Sequence, residues 1–342
     1  MKKELEIWRF IYARLKRNEN VMLMVVAESA GSSPGRNGFK MAIAGDEMCG
    51  SIGGGVMEVN LVELAGKLSK DKRQKAESKI KTNNSNDSAV LNQSAIVEQV
   101  HRKNAQNSSG MICSGRQTVI FFALNRQQHL KTVKAIVGAL KNRQSKILRI
   151  SNSEFEIAES GAGDFDFRFE QKAESEFLFE EKLGFKNRLF IVGGGHCALA
   201  LSEIAAKMDF HIALFDDRPF LNTLAKNKFV HEKKIIESYE RIGEFIPSGA
   251  ADVYVVVMTL GYKSDAVVIR RLFDRDFKYF GVLGSRAKMA TLLKNLRREG
   301  FSEEKLDRIR TPVGLPINSR TPEEIAVSIA AEIIAVKNGK IN

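Results

Sequence analysis

The sequence predicts an α/β protein: an N-terminal mixed α+β domain with glycine-rich loops, then a C-terminal doubly wound domain built on a parallel sheet. Three observations carry this. The second half alternates strand and helix, from "RLFIVGGGH" and "ALALSEIAAKM" through "HIALFDDR" and "DAVVIRRLFDR" to "YFGVLG" and "RAKMATLLKNLRREG". Its strand "DVYVVVMT" is apolar throughout, as strands covered on both faces are. The first half instead crowds glycines into "GSSPGRNGFKMAIAGDEMCGSIGGG", residues 31–55. Glycine is costly to order, so such loops mark positive φ or a close approach to the backbone. A length of 342 residues suits two domains. The boundary falls near residue 184, giving 1–184 and 185–342.

Residues 1–18 read as an amphipathic helix with Leu5, Trp8, Ile11, Tyr12 and Leu15 on one face. "VMLMVVAES" (21–29) reads as a buried strand, and "FKMAIAG" and "EMCGSIG" as two short strands around a Gly45-Asp46 turn. After the triple glycine, Met57, Leu61, Leu64, Ala65 and Leu68 recur at helical spacing. Residues 70–110 are rich in Lys, Asn, Ser and Gln and read as a polar insertion or loop, with a helix near 88–102. "RQTVIFFAL" (116–124) is a strand and 127–142 a basic helix. "SKILRI", "EFEIA", "FDFRF" and "EFLFEE" then alternate as antiparallel strands do. At the far end, Thr321-Pro322-Glu323-Glu324 is a capping box with proline at the first helical position, ahead of an Ile325, Ile329, Ile333, Val336 stripe that Gly339 ends.

Apolar residues at 44% and charged residues at 27% fit an ordinary globular protein. The formal charge of +12 suits an acidic partner such as a phosphorylated cofactor, or is merely a basic surface. Clusters such as "RLKRN" and "KDKRQK" are interleaved with polar residues, and no nucleic-acid-binding signature accompanies them. Three cysteines, Cys49, Cys113 and Cys197, are too few and too widely spaced for a disulfide framework or a CxxC metal site. Free thiols suit a reducing cytoplasm. The charged start "MKKELEIWRF" is unlike a signal peptide, and no membrane span is expected.

Three loops carry candidate chemistry. In "VGGGHCA", Gly193, Gly194 and Gly195 follow a strand and open a helix, and Gly193, Gly195 and Ala198 fit G-x-G-x-x-A. Asp216 closes the next strand 23 residues after Gly193, where dinucleotide folds hold a ribose. This predicts a Rossmann-like fold that takes a nucleotide or pyrophosphate at the helix N-terminus, unless the glycines serve packing alone. Arg218 can pair with an acid or meet a phosphate, and His196 is a proton carrier, a ligand or an ordinary helix-start histidine. In "GSIGGGVME", Gly53, Gly54 and Gly55 can form an anion-binding concavity. Ser32, Ser33 and Arg36 of "GSSPGRNG" supply hydroxyls and a cation. Glu58 there repels a bare phosphate but suits an amino-pyrimidine edge. The competing reading is two tight turns. Cys113 in "GMICSGR" is a soft metal ligand, a reactive thiolate or a buried thiol.

Taken in order, GSSPxxxGxKM, GSIGGGxxE, GMxCxG, VGGGHxAxAL, FDDR, GxLGSRxK and PxGLxIxxxTPEEIAxSIxAEI resemble the xanthine dehydrogenase accessory proteins of the XdhC/CoxI type, from about residue 20 to 336. The resemblance implies a maturation factor that binds molybdenum cofactor (molybdopterin), protects it and delivers it to a xanthine dehydrogenase-like apoenzyme. Such a factor is not itself a turnover enzyme. The implied partners are that apoenzyme, a cysteine desulfurase and a second copy of the chain, with no nucleic acid and no membrane. On this reading the N-terminal loops hold one end of the cofactor. Gly193, Gly195, His196 and Asp216 form the other side, with Ser285, Arg286 and Lys288 of "LGSRAK" as further anion contacts. Two departures stand out. Val56 occupies a position that is cysteine in many members, and Leu260-Gly261-Tyr262 replaces a T-H-x-H-x-x-D pattern of which Asp265 remains. The rival readings are an NAD(P)-dependent oxidoreductase using Gly193 to Asp216, and a scaffold that docks a partner without a small molecule.

Overall fold

The computed structural model describes residues 2–67, 94–100, 115–159, 165–173, 176–208, 210–248 and 250–339. The chain divides into two compact units, Met1–Gly184 and Phe185–Asn342.

In the first unit, helix α1 (Lys2–Lys16) precedes a five-stranded antiparallel sheet in the order β3-β2-β1-β5-β4. Its strands are β1 (Val21–Gly31), β2 (Lys40–Ala44), β3 (Glu47–Gly50), β4 (Ser94–Val100) and β5 (Gly115–Leu124). Helix α2 occupies 55–67 of the described residues, and α3 is Arg126–Lys141. A second antiparallel sheet, β7-β6-β9-β8, follows from β6 (Lys146–Ser151), β7 (Phe155–Glu159), β8 (Phe167–Ala173) and β9 (Glu176–Leu183).

Strand β1 is buried on both faces, which explains its unbroken apolar run. Val21, Leu23 and Val25 join the core made by α1, α3 and the second sheet. Met22, Met24 and Val26 face the other way, onto Met57, Leu61 and Ala65 of α2. Trp8, Ile11 and Leu15 of α1 are fully buried in the larger core, as their spacing predicts.

One expectation fails here. The helix near 88–102 is instead a strand at 94–100, with Ile96 opposite Ile120 and Val97 opposite Val119. "SAIVEQV" is short enough to serve either state, and pairing along β5 decides it. The rest of the 70–110 insertion, and Cys113, lie outside the described residues.

The second unit is a parallel sheet in the order β12-β11-β10-β13-β14-β15. Its strands are β10 (Asn187–Val192), β11 (Phe210–Asp216), β12 (Glu232–Ile235), β13 (Ala250–Val257), β14 (Phe277–Val282) and β15 (Ile309–Arg310). Numbered from β10, this is the order 3-2-1-4-5-6 of the Rossmann fold. Helices α4 (His196–Lys207) and α9 (Pro322–Lys337) cover one face. Helices α6 (Tyr262–Leu272) and α7 (Arg286–Arg298) cover the other. Two short helices, α5 (Asn222–Lys226) and α8 (Glu303–Leu306), complete the unit. The capping box of α9 forms as expected: the Thr321 hydroxyl accepts from Glu324 N, and the Glu324 carboxylate accepts from Thr321 N. Edge strand β12, "EKKI", is exposed at every residue and carried no apolar pattern to announce it. No helix among the described residues is long and apolar enough to cross a membrane.

In the first unit Lys40 Nζ lies 2.5 Å from Glu181 Oε2, with side chains only 4% and 3% exposed. Removing one partner strands a buried charge. Lys40→Met should therefore lower the unfolding free energy by about 3 kcal/mol, and adding Glu181→Leu should restore at least half of it. Denaturant midpoints of the single and double variants check this.

Candidate functional site

The glycine loop of the first unit is built by backbone packing against backbone. A Cβ on Gly53 would lie 2.5 Å from Gly35 N, one on Gly35 would lie 2.3 Å from Ile52 O, and one on Gly115 would lie 2.6 Å from Ser33 N. The structure thus brings Ser33, Gly35, Gly53 and the start of β5 together. Ser33 is buried, and its hydroxyl donates to Gln117 Oε1 at 2.8 Å. Ser32 and Arg36 remain exposed.

Gly53, Gly54 and Gly55 all take positive φ (133°, 77° and 71°), and Gly53 N donates to the Ser51 hydroxyl at 3.1 Å. The anion they meet belongs to the chain. Glu58 Oε2 accepts from Ile52 N at 2.8 Å, from Gly54 N at 2.9 Å and from the Ser51 hydroxyl at 2.7 Å. Burial pushes the Glu58 carboxyl up, but the hydroxyl and amide donors outweigh it and hold it below the ordinary range. The concavity read from sequence is therefore filled by Glu58, from the first turn of α2. Val56, beside it, is exposed.

In the second unit the loops after β10, β11, β13 and β14 gather at the carboxyl ends of the strands. Strands β10 and β13 are neighbours at which the strand order reverses, the place where open α/β sheets bind ligands. Gly193 has φ 105°, and a Cβ there would lie 2.2 Å from Met258 O. It is a packing glycine that lets two strand ends pass. Gly195 differs: it is the N-cap of α4, has no side-chain cap, and a Cβ on it would meet only open space. His196 is exposed at the first helical position.

Asp216 ends β11 as predicted and is fully buried. Its carboxylate accepts from Gly194 N at 2.6 Å and from the Arg218 side chain at 2.8 and 2.7 Å. Burial raises its pKa, and the Arg218 and Gly194 donors more than reverse this. Thr223, which the sequence reading missed, donates its hydroxyl to Gly194 O at 2.5 Å and closes the turn from α5. No local motif announces a contact across 29 residues.

Two further helices start on this edge. Helix α6 has Gly261 as N-cap, without a side-chain cap. Its Asp265 is buried, pushed up by desolvation, and ties the turn by accepting from Thr259 Oγ1 at 2.6 Å and Thr259 N at 3.2 Å. Helix α7 is capped by Ser285, and its first turn holds Arg286 and Lys288 and no acid. Both cations are exposed and neither makes an ion pair within 4 Å among the described residues, though the Lys288 charge acts on the buried Asp265 carboxyl. Cations at a helix N-terminus oppose the dipole, so this arrangement favours an incoming anion. Phe220 and Leu260, 97% and 81% exposed, lie on the loops after β11 and β13.

The described thiols are partly buried beside carboxylates. Burial pushes both Cys49 and Cys197 up, with Glu6 and Glu323 adding to it. Among the described residues no group of three His, Cys, Asp or Glu side chains could hold a metal ion.

Residues 14–78 match the family model described as the XdhC and CoxI family, and residues 189–333 match the XdhC Rossmann domain. The chain is 32% identical to the Escherichia coli protein YqeB over 157 residues, which are 45% of this chain and 28% of that protein. It is 32% identical to a Bacillus subtilis protein, described as a probable component of xanthine dehydrogenase, over 164 residues, 47% of this chain and 46% of that one. The matched stretch is thus less than half the length of either relative. A crystal structure from Bacillus halodurans, described as a xanthine dehydrogenase, superposes with a TM-score of 0.67 at 21% identity over 99% of this chain and 97% of that one. This last likeness shows a shared fold.

The geometry around Glu58 makes its own prediction. A carboxyl held below its ordinary value of 4.5 stabilises the fold fully above that pH, and the contribution fades as pH falls through its folded pKa. Glu58→Ala should lower stability at pH 7 by about 1–2 kcal/mol, the size of a lost helix cap. The gap from the parent should narrow as pH falls below the ordinary carboxylate range, as urea titrations across pH would register.

Proposed function

Because the chain belongs to the XdhC and CoxI family, we propose that it is an accessory factor for a xanthine dehydrogenase-like molybdenum hydroxylase, binding molybdenum cofactor as cargo and passing it to the apoenzyme. The observation that carries this is the carboxyl edge of the second unit. There Gly195 leaves open space over an uncapped helix N-terminus, and Arg286 and Lys288 stand at another. Free amide donors, a positive dipole end and two cations fit the phosphate of molybdopterin. His196 lies on the same edge and offers a donor or a proton.

The cargo would supply the molybdenum-dithiolene group on which the receiving enzyme depends. This chain's part is to bind, orient and release it. Phe220 and Leu260 give the receiving enzyme an apolar contact on the same edge. A cysteine desulfurase and a second copy of the chain remain proposed partners. The Glu58-filled loop of the first unit fits a structural turn better than a phosphate cradle.

Protein purified from cells that make molybdenum cofactor, then denatured and oxidised, should release fluorescent pterin near one equivalent per chain. The double variant Arg286→Ala/Lys288→Ala should retain at least about tenfold less, the effect of losing a hydrogen bond to a charged group. Its unfolding midpoint should not move, because both side chains are exposed. Absence of pterin, both as purified and after reconstitution with isolated cofactor, would overturn the reading.

A further inference from the structure

In a sheet of this strand order, the acid ending the second strand accepts the hydroxyls of a dinucleotide's ribose. Asp216 has that position and a different occupation. Its Oδ2 accepts from Gly194 N at 2.6 Å and from an Arg218 Nη at 2.7 Å. Its Oδ1 accepts from Arg218 N and Nε, both at 2.8 Å. A carboxylate offers about four acceptor positions, and all are taken. The group is also wholly buried. Leu224 of α5 covers the same turn: its side chain would lie 2.6 Å from a Cβ placed on Gly194. A cis-diol could reach Asp216 only by displacing the Arg218 guanidinium.

We propose that Arg218 is a specificity-determining residue that closes the ribose position of this Rossmann unit, so that the chain refuses nicotinamide dinucleotides while its anion-binding edge stays open. The pair is built from residues two apart in "FDDR", so the closure travels with the turn itself. Asp216 then positions the glycine turn by holding Gly194 N, and acts on no ligand. This inference does not rest on the identity of the cargo, because it concerns only what the second strand's acid can accept.

The full-length chain is titrated with NADH and separately with NADPH, following nicotinamide fluorescence. The parent protein should show no saturable binding of either up to about 1 mM. Arg218→Ala should free the carboxylate and bring NADH binding into range, a gain of at least about tenfold. Adding Asp216→Asn should abolish that gain. Arg218→Lys keeps a cation and a long stem but gives up the paired contacts, so it should give a smaller gain if the alanine variant folds poorly. Saturable NADH binding by the parent would overturn the proposal. So would tight NADPH binding by the parent, which would assign Arg218 to a 2′-phosphate. A folded Arg218 variant with no gain would show that something else closes the position.

Discussion

Each of the two glycine turns described above is held by one carboxylate of its own chain. Turn amides left without acceptors when buried would cost about 1–3 kcal/mol apiece. Glu58 answers this in the first unit and Asp216 in the second. The consequences spread outward. Glu58 fixes the start of α2, whose Met57 and Leu61 form the core on one face of β1. Asp216 fixes the turn between β10 and α4, and with it the place where Gly195 opens to solvent. A motif that looks like an empty cradle can thus be a completed structure.

What was legible in the sequence is what local rules govern. The capping box of α9 is a contact between residues three apart, so it could be read directly. The alternation of strand and helix and the apolar run of β13 announced a doubly wound parallel sheet, and the second unit has one. Asp216 was placed correctly at a strand end. Its occupation was not readable, because that depends on which way the Arg218 side chain folds. Glu58 was left open between a ligand edge and a tight turn, and the structure has its Oε2 on loop amides four to six residues away. β4 was missed because seven residues of mixed character carry no decisive period, and the partner strand chose for them. The Thr223 contact crosses 29 residues and has no short-range signal.

Many of the charged side chains in both units are paired with one another. In the second sheet of the first unit, charges are paired across strands. Glu156, Arg149, Glu180 and Arg168 form a ladder, with Arg149 Nε 2.7 Å from Glu180 Oε1. The second unit also pairs many of its charges, as Arg188 does with Asp252 and Arg270 with Glu299, but Arg286 and Lys288 on its carboxyl edge make no ion pair within 4 Å among the described residues, and the Lys288 charge reaches the buried Asp265. A net charge of +12 is therefore less telling than where the uncompensated part of it lies.

The exposed strand β12 has a bearing on how the protein survives in concentrated solution. An open sheet ends in a row of unpaired backbone groups that can recruit a strand from another molecule. Here that row is written Glu232-Lys233-Lys234, with the Lys234 ammonium 3.6 Å from the centre of the Phe245 ring and Lys233 donating to Leu224 O at 2.7 Å. An incoming strand would have to dehydrate these charges while meeting a border that is short and half tethered. The edge acts as a guard against runaway association, and it keeps the parallel sheet finite without a closing barrel.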